Sequence, residues 1–428
     1  MKKIIKSSFI FSLLILMNSC NETSTSSSDG TLAVNSENSN KRSDIASANV
    51  LEFTPSGVLF VGDSNSGAIV AFETENTENK AKGSAYNLKD FDAKIETLLG
   101  VQSDEMLIKD LAVHPQTNEA YIAVSYISGN TYLPAIIIAD QSGNVRLMDL
   151  ASKNTKLKLN NTYDKDFKFY GEFDAKRLSI TDIDFHKNKI YISGLSNQDF
   201  SSTLRIAEYP FNGKASTTSV EIFHSIHNQN ETRAPIRSLS VVTLEGKDHI
   251  LAAYTCTPLV TIPIDALVDG AHVKGKTIGD VGYGNAPIDM LRFMAEDMEK
   301  NKFEIVLLTN KNQAANVLPV GGIAEANKGK GLTTFQGFGS FGFQGYKAPL
   351  AGLSHVADQD GYHILSIRRD MDSGDLQLVS FMKNLYFRIS DFQSEYELPG
   401  YEYPADQAQM KYIQDMLKKD EGHPVSAE

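Results

Sequence analysis

The stretch Ala234-Pro235-Ile236-Arg237-Ser238-Leu239 recurs as residues 286–291 (Ala-Pro-Ile-Asp-Met-Leu) and again as residues 348–353 (Ala-Pro-Leu-Ala-Gly-Leu). Shorter copies without Ala-Pro occupy residues 108–111 and 180–183. Each copy leads into an apolar segment that is rich in β-branched residues. Self-similarity over several tens of residues is typical of chains assembled from one repeated supersecondary unit. The repeat therefore predicts an architecture, although it does not identify a ligand.

Short strands are predicted throughout the chain from about residue 47 onward. Second strands such as residues 120–124 and 303–308 are rich in Val, Ile, Tyr and Phe and are bounded by turn residues. A third strand follows in most units. The first strands of the six units are spaced by 52 to 72 residues and contain Leu51, Leu111, Ile183, Leu239, Leu291 and Leu353.

Six units of three or four antiparallel strands predict an all-β fold, a β-propeller with six blades over residues 47–392. Radial repetition buries both faces of every sheet and leaves only short edges. Five or seven blades stay open, because the first and last units are the least regular. Residues 393–428 form a C-terminal extension, in which Met410, Ile413 and Leu417 lie on one stripe and predict a short helix.

Part of the chain resembles a known kind of propeller. Residues 281–287 (Val-Gly-Tyr-Gly-Asn-Ala-Pro), the strand that ends at Thr309-Asn310 and residues 317–320 resemble one repeat of the YVTN/NHL-type propellers. The other units match that repeat less fully. The resemblance implies a propeller over most of residues 47–392. Because such propellers bind proteins, sugars or small molecules and include some enzymes, the resemblance does not fix a function.

The N-terminus predicts a targeting segment over residues 1–19. Lys2, Lys3 and Lys6 precede an apolar run, residues 9–17, that is too short to span a bilayer comfortably. Ser19-Cys20 resembles the lipobox of bacterial lipoproteins, which implies cleavage before Cys20 and acylation of that residue. An ordinary signal peptide with an incidental cysteine is the alternative. Residues 20–46 are rich in Ser, Thr and Asn and predict a tether.

These features predict a bacterial cell-envelope protein, lipid-anchored in the outer membrane or facing the periplasm. The net charge is −12 and falls to −15 when residues 1–19 are removed. An acidic chain is a poor partner for nucleic acid or anionic lipid, so we expect membrane contact through the lipid anchor only. Of the two cysteines, Cys20 and Cys256, lipidation of the first would leave the domain without a disulfide.

Polar residues near the entrances of the first strands and after the second strands are the candidates for a site. In a propeller both sets lie on one face, around the central channel, and convergent polar groups at such a mouth are a common binding site. The alternative is that they are turn residues and partners in hydrogen bonds between blades. The candidate ligand-binding residues are Arg237, Asp289, Asp110, Asp182, Asn310 and Arg368.

Other chemistry finds less support in the sequence. Cys256 follows a buried strand, but no base or positive charge adjoins it in the sequence, which predicts an inert thiol. His224 and His227 lie three residues apart without a nearby acidic pair, so we predict no metal site there. No Trp occurs and no Cys-x-x-Cys-His, which argues against WD-type repeats and covalent haem.

The leading hypothesis is a non-catalytic propeller that binds a protein or small-molecule ligand at the channel mouth, without a cofactor. The alternative is a metal-assisted propeller hydrolase or lactonase that uses channel carboxylates and a divalent ion such as calcium.

Overall fold

Antiparallel sheets arranged around a central channel make up this computed structural model. It describes residues 45–74, 84–163, 167–169, 173–282, 285–296, 300–348, 352–370 and 372–383. The predicted signal segment with Cys20, most of the tether and the predicted C-terminal helix lie outside the described residues. All described residues belong to the unit that begins at Ser43.

The first half of the described chain contains helix α1 (Phe91–Leu99) and the following strands, in chain order: β1 (Val50–Phe53), β2 (Val58–Asp63), β3 (Ala68–Glu73), β4 (Asn87–Leu88), β5 (Met106–Val113), β6 (Ala120–Ser128), β7 (Thr131–Ala139), β8 (Val145–Leu147), β9 (Asn154–Lys158), β10 (Lys168–Phe169), β11 (Phe173–Asp174), β12 (Asp182–His186), β13 (Lys189–Leu195), β14 (Ser202–Glu208) and β15 (Ala215–His224).

The second half contains helix α2 (Val320–Lys328) and the remaining strands, in chain order: β16 (Gln229–Glu231), β17 (Ile236–Leu244), β18 (Lys247–Tyr254), β19 (Pro258–Pro263), β20 (His272–Lys274), β21 (Lys276–Asp280), β22 (Pro287–Glu296), β23 (Lys302–Asn310), β24 (Asn316–Pro319), β25 (Phe341–Gly342), β26 (Tyr346–Lys347), β27 (Leu353–Asp358), β28 (His363–Arg369) and β29 (Leu376–Met382).

These strands form six blades, as the repeat predicts. The predicted first strands are the innermost strands, and each pairs antiparallel with the second strand of its unit. Numbered around the ring, the blades are β1-β2-β3-β9 (blade 1), β12-β13-β14-β15 (blade 2), β17-β18-β19-β21 (blade 3), β22-β23-β24-β26 (blade 4), β27-β28-β29-β4 (blade 5) and β5-β6-β7-β8 (blade 6).

The order of the blades around the ring differs from their order in the sequence. The inner strand of blade 1 contacts those of both blade 2 and blade 6, and blade 6 also contacts blade 5. Blade 6, the second unit in the sequence, therefore lies between the first unit and the last. The other blades follow in sequence order.

Two outer strands close the ring. After β3 the chain crosses to blade 5, where β4 pairs with β29, and it then builds blade 6. It returns to blade 1 as β9, which pairs with β3. Each outer strand thus comes from a part of the sequence remote from its blade. The segment after residue 150 contains one of them, β9.

Apolar side chains from neighbouring blades fill the space between the sheets. The core between blades 5 and 6 includes Ile122, Ile137, Leu365 and Leu378, all fully buried. Helix α1 covers this core with Phe91 and Ile95. Neither α1 nor α2 is long or apolar enough to cross a membrane, and the described residues contain no other helix that is.

Candidate ligand site in the central channel

The repeated stretch, called the phrase below, occupies residues 234–239, 286–291 and 348–353 and, in shorter form, residues 108–111. β-Bulges lie at the entrances of the four inner strands that these copies precede or begin. In blades 3, 4, 5 and 6 the pairing between first and second strand shifts register within the phrase or directly after it. A bulge changes the direction of a side chain at the edge of a sheet. The residues within these shifts include Lys109, Arg237, Asp289 and His355, and all four are part of one electrostatic cluster.

The side chains of three aspartates connect neighbouring blades by accepting backbone N–H groups. One carboxylate oxygen accepts the N–H of the next residue, and the other accepts an N–H from the inner strand of the next blade. These donors, with their distances, are Leu111 (2.8 Å) and Leu51 (2.6 Å) for Asp110, Ile183 (2.9 Å) and Leu239 (2.6 Å) for Asp182, and Met290 (2.7 Å) and Val356 (2.8 Å) for Asp289.

Burial and mutual repulsion affect the ionisation of these carboxyl groups. Burial, together with the charge of Asp289, raises the pKa of Asp182 to about 8. Burial likewise raises the pKa of Asp289 to about 6, against the effect of its two backbone hydrogen bonds. Burial and the other two aspartates raise the pKa of Asp110 well above its usual range. The three groups therefore favour a bound proton or a neighbouring positive charge.

Lys109 and Arg237 lie next to the aspartates, and a third cation, Arg177, lies next to Lys109. Burial and the positive charges of Arg177 and Arg237 together lower the pKa of Lys109 to about 8. Burial lowers the pKa of Arg237, whereas Asp182 opposes that change. Arg177 lies over the ring of Tyr132 at 5.0 Å. Within the described residues, none of these three cations forms an ion pair with a carboxylate.

His355 lies between the cations and the aspartates. Its Nδ1 is 3.7 Å from Asp110 and 3.8 Å from Asp289, beyond hydrogen-bond distance, and has no other partner among the described residues. Burial lowers the pKa of His355 to about 3, helped by Lys109 and Arg237, so the ring is neutral. Donor atoms of Asp110, Asp289 and His355 lie within 4.8 Å of one another and could hold a metal ion.

Below the aspartates the channel opens into an acidic cavity of about 520 Å³. Glu52, Asp184 and Asp358 line it together with Arg292, which is paired with Glu304 at 2.6 Å. Burial raises the pKa of Glu52 well above its usual range, and Asp184, Asp182 and Asp110 add to the effect. The channel is therefore polarised, with cations on one side of the aspartates and carboxylates on the other.

The structure brings four of the six candidate residues together and places two elsewhere. Arg237, Asp110, Asp182 and Asp289 share the channel cluster. Asn310 ends the second strand of blade 4, where it is buried. Its side chain bonds with Asn285 at 2.7 Å and with Asn316 at 2.9 Å.

Arg368 lies on β28, where its charge favours the ionised form of Asp370. His355 and Glu52 belong to the channel although sequence reasoning did not select them. His355 follows the third copy of the phrase by two residues, but a single sequence gives no sign that its ring reaches another blade.

Comparisons with known proteins add little to this geometry. No family model matches the sequence, and no curated protein matches it. Similar solved structures include BBS1N in complex with ARL6DN, at 9% identity, 79% coverage of both chains and a TM-score of 0.29. Another, from Parabacteroides distasonis, is described as a glycoside hydrolase, at 7% identity, 65% coverage of this chain, 86% of that chain and a TM-score of 0.32. Such likeness carries no argument about function.

Proposed function

We propose that this protein is a lipid-anchored envelope propeller that binds a small anionic molecule at the cationic side of its channel, without catalysis. The observation that carries the proposal is the group Lys109, Arg177 and Arg237, which has no carboxylate partner within the described residues. Partly buried cations repel one another and lose hydration, so an anion that contacts them is strongly favoured. A carboxylate, sulfate or phosphate group fits that requirement.

The neighbouring aspartates support binding rather than catalysis. Asp110, Asp182 and Asp289 each hold two backbone N–H groups, and these bonds join the blades. Carboxylates in this arrangement are restrained in position, whereas a general base must reach the proton it removes. We therefore assign them a structural role behind the ligand.

Export and anchoring complete the proposal. The cationic start, the short apolar run and Ser19-Cys20 support cleavage and acylation at Cys20, and the polar residues 20–46 would hold the propeller away from the membrane. The resemblance of residues 281–287 to one YVTN/NHL-type repeat supports descent of the blades from that repeat.

A thermal-shift and calorimetry experiment on the full chain tests the binding site. Glucuronate, sulfate and phosphate are compared with glucose at equal ionic strength. An anion that binds the native state raises the unfolding midpoint. We expect the rise to disappear in Lys109→Met and Arg237→Met but to persist in Lys89→Met, which alters an exposed lysine. Binding of glucose alone, or anion binding that both channel variants retain, would overturn the proposal.

A divalent cation in the channel is the second candidate, and the unpartnered Nδ1 of His355 favours it. That nitrogen and the carboxylates of Asp110 and Asp289 offer three ligand atoms on one side of the channel. A Lewis-acidic ion there would activate a water molecule or polarise a carbonyl, as a hydrolase or lactonase requires. The positive charges of Lys109 and Arg237, which add to the effect of burial on the His355 pKa, oppose such an ion.

Metal titration distinguishes the two candidates. If an ion binds, Ca²⁺ or Zn²⁺ raises the unfolding midpoint of the full chain, a chelator reverses the rise, and His355→Ala abolishes it. His272→Ala, which alters a histidine on the outer strand β20, serves as the matched control. No shift with any divalent ion in the wild-type chain would exclude this second candidate.

A further inference from the structure

The two middle strands of blade 6 are longer than those of the neighbouring blade 1. β6 and β7 have nine residues each, whereas β2 and β3 have six. Ala123 of β6 and Ile136 of β7 belong to the core between these two blades. Because side chains alternate between the faces of a sheet, the same face continues along blade 6 through Ser125, Pro134 and Tyr132. The face of blade 6 that packs on blade 1 therefore extends beyond the core.

The inner strand of blade 6 adds a leucine to this extended face. In the pairing of β5, β6 and β7, Leu107 lies opposite Ser125, and Ser125 lies opposite Pro134. Residues paired in this way project to the same side of a sheet, so the three side chains form one row. Leu107 is 49% exposed and Tyr132 is 46% exposed. They line an open groove together with residues 46–49.

Two of the three cations at the channel line the same groove. Lys109 lies two residues after Leu107 in β5, and Arg177 belongs to the short 3₁₀ helix Ala175–Leu178. The Arg177 guanidinium lies 5.0 Å from the centroid of the Tyr132 ring, a contact that holds its charge against the apolar wall. The groove therefore combines an apolar row with cations that have no carboxylate partner among the described residues.

This combination selects between kinds of ligand. A phosphate or sulfate ion would neutralise Lys109 and Arg177 but would leave Leu107 and Tyr132 in contact with water. An uncharged apolar molecule would cover the apolar row but would remove water from the cations without replacing it by a partner, which is unfavourable. A carboxylate that carries an alkyl or aromatic group meets both requirements.

We propose that the ligand of this protein is an organic acid whose carboxylate contacts Lys109 and Arg177 and whose alkyl or aromatic group lies along Leu107 and Tyr132. This inference rests on the proposed anion site and adds the chemical class of the ligand. Burial of apolar surface strengthens binding in proportion to the area removed from water. Because the groove is open to solvent, only part of an alkyl chain is buried there.

Calorimetric titration of the full chain with acetate, hexanoate and hexanol tests this class of ligand. The three probes separate the carboxylate from the alkyl chain. We expect hexanoate to bind at least about tenfold more tightly than acetate, and hexanol not to bind. Lys109→Met should abolish the binding of both acids. Equal affinities for acetate and hexanoate, or hexanol that binds as tightly as hexanoate, would overturn the inference.

Leu107→Ser tests the apolar row. Leu147→Ser is the matched control, since Leu147 is 50% exposed on the outer strand β8 of the same blade. We expect the ratio of hexanoate to acetate affinity to fall at least about threefold in Leu107→Ser and to stay at the wild-type value in the control. Tyr132→Thr, which keeps a good strand former in β7, is a second variant with the same expected fall. A wild-type ratio in both variants would contradict the contact.

The same titrations distinguish this inference from the proposed anion site. Suppose that phosphate, acetate and hexanoate raise the unfolding midpoint equally, and that Lys109→Met abolishes each rise. The anion site is then supported, and the assignment of an apolar group to its ligand is wrong. If none of these anions raises the midpoint, the anion site itself is wrong, and the class of its ligand falls with it.

Discussion

The carboxylate of Asp289 accepts the backbone N–H of Val356 at 2.8 Å, across the boundary between blade 4 and blade 5. Asp182 makes the corresponding bond from blade 2 to blade 3, and Asp110 from blade 6 to blade 1. The three bonds occupy alternate boundaries of the ring. This kind of aspartate-to-backbone bond at the strand entrances therefore recurs at every second boundary of the ring.

Asp289→Asn should destabilise the protein although it conserves shape. Both carboxylate oxygens face N–H donors, so the amide of asparagine must turn one of its own N–H groups toward a donor. The loss of a hydrogen bond to a charged group, with an unpaired buried N–H, costs about 2 to 3 kcal/mol. Urea unfolding followed by circular dichroism measures it. Asp265→Asn changes an exposed aspartate and should leave the midpoint unchanged. Equal midpoints would contradict a stabilising bond between these blades.

The sequence predicts the blades well because each blade is local. First and second strands are neighbours in the sequence, and alternation of apolar residues between turn signals identifies them. The outer strands of blades 1 and 5 are not local. Only two residues of β4 pair with β29, across almost 300 positions, and nothing in so short a segment specifies that partner. The sequence analysis did not predict helix α1, although two features of a helix are present. Phe91 and Ile95 lie on one buried face, and Gly100, at φ of +69°, follows the last residue.

Tyr86→Phe should weaken the closure of the ring. The Tyr86 hydroxyl shares its one hydrogen between Asn118 O at 2.8 Å and Ala139 O at 3.0 Å and accepts from the N–H of Ala120 at 3.0 Å, so it fastens blade 6 to the segment that leads into β4. Phenylalanine keeps the packing but leaves the buried Ala120 N–H unpaired, at a cost of about 2 to 3 kcal/mol.

Urea unfolding measures the change in the free energy of unfolding. Limited proteolysis shows whether the chain near residue 86 is cleaved before the rest of the protein. Tyr362→Phe is the matched control, because that ring is 71% exposed. A Tyr86→Phe variant as stable as the control would show that the hydroxyl does not hold blade 6 in place.

The channel site was predictable in part for a physical reason. The repeated phrase marks the strand entrances, so Arg237 and Asp289 could be located by comparing its copies. The contacts between the charged groups in the channel depend on β-bulges. A bulge can consist of a single residue such as Lys109, and no sequence motif marks its position. Charged groups from blades that are far apart in the sequence lie close together in the channel. The order of the blades around the ring determines which of these groups are neighbours. His224 and Thr257 show the same limit, since their side chains, 3.2 Å apart, belong to different blades.

Gly194→Ala should be strongly destabilising. A Cβ atom at Gly194 would lie 2.0 Å from the backbone oxygen of Ser179, which cannot move independently of the chain. That oxygen also lies 3.5 Å from the buried guanidinium of Arg205, so a displaced backbone disturbs a second contact. Overpacking of this kind costs about 3 kcal/mol. Thermal unfolding measures the effect, and Gly361→Ala, with open space around its Cβ position, should melt like the wild type.

The stabilisation from the pair His224 and Glu231 should depend on pH in a defined way. The neighbouring side chains of Cys256 and Glu231 raise the pKa of His224 from 6.5 to about 9 in the folded state, against the effect of burial, so its contribution is full below pH 6.5 and is lost as the pH rises through 9. The pKa of Glu231 is lowered from 4.5 to about 2, so its contribution is present above pH 4.5 and is lost as the pH falls toward 2.

The difference in unfolding free energy between the wild type and His224→Gln should therefore be largest between pH 4.5 and 6.5, on the order of 2 to 3 kcal/mol, and small at pH 9.5. Urea titrations at pH 5.5, 7.5 and 9.5 measure it, with His272→Gln as the variant that should show no such trend. A constant difference from pH 5.5 to 9.5 would mean that the His224 ring is held by packing alone, without a charge that Glu231 stabilises.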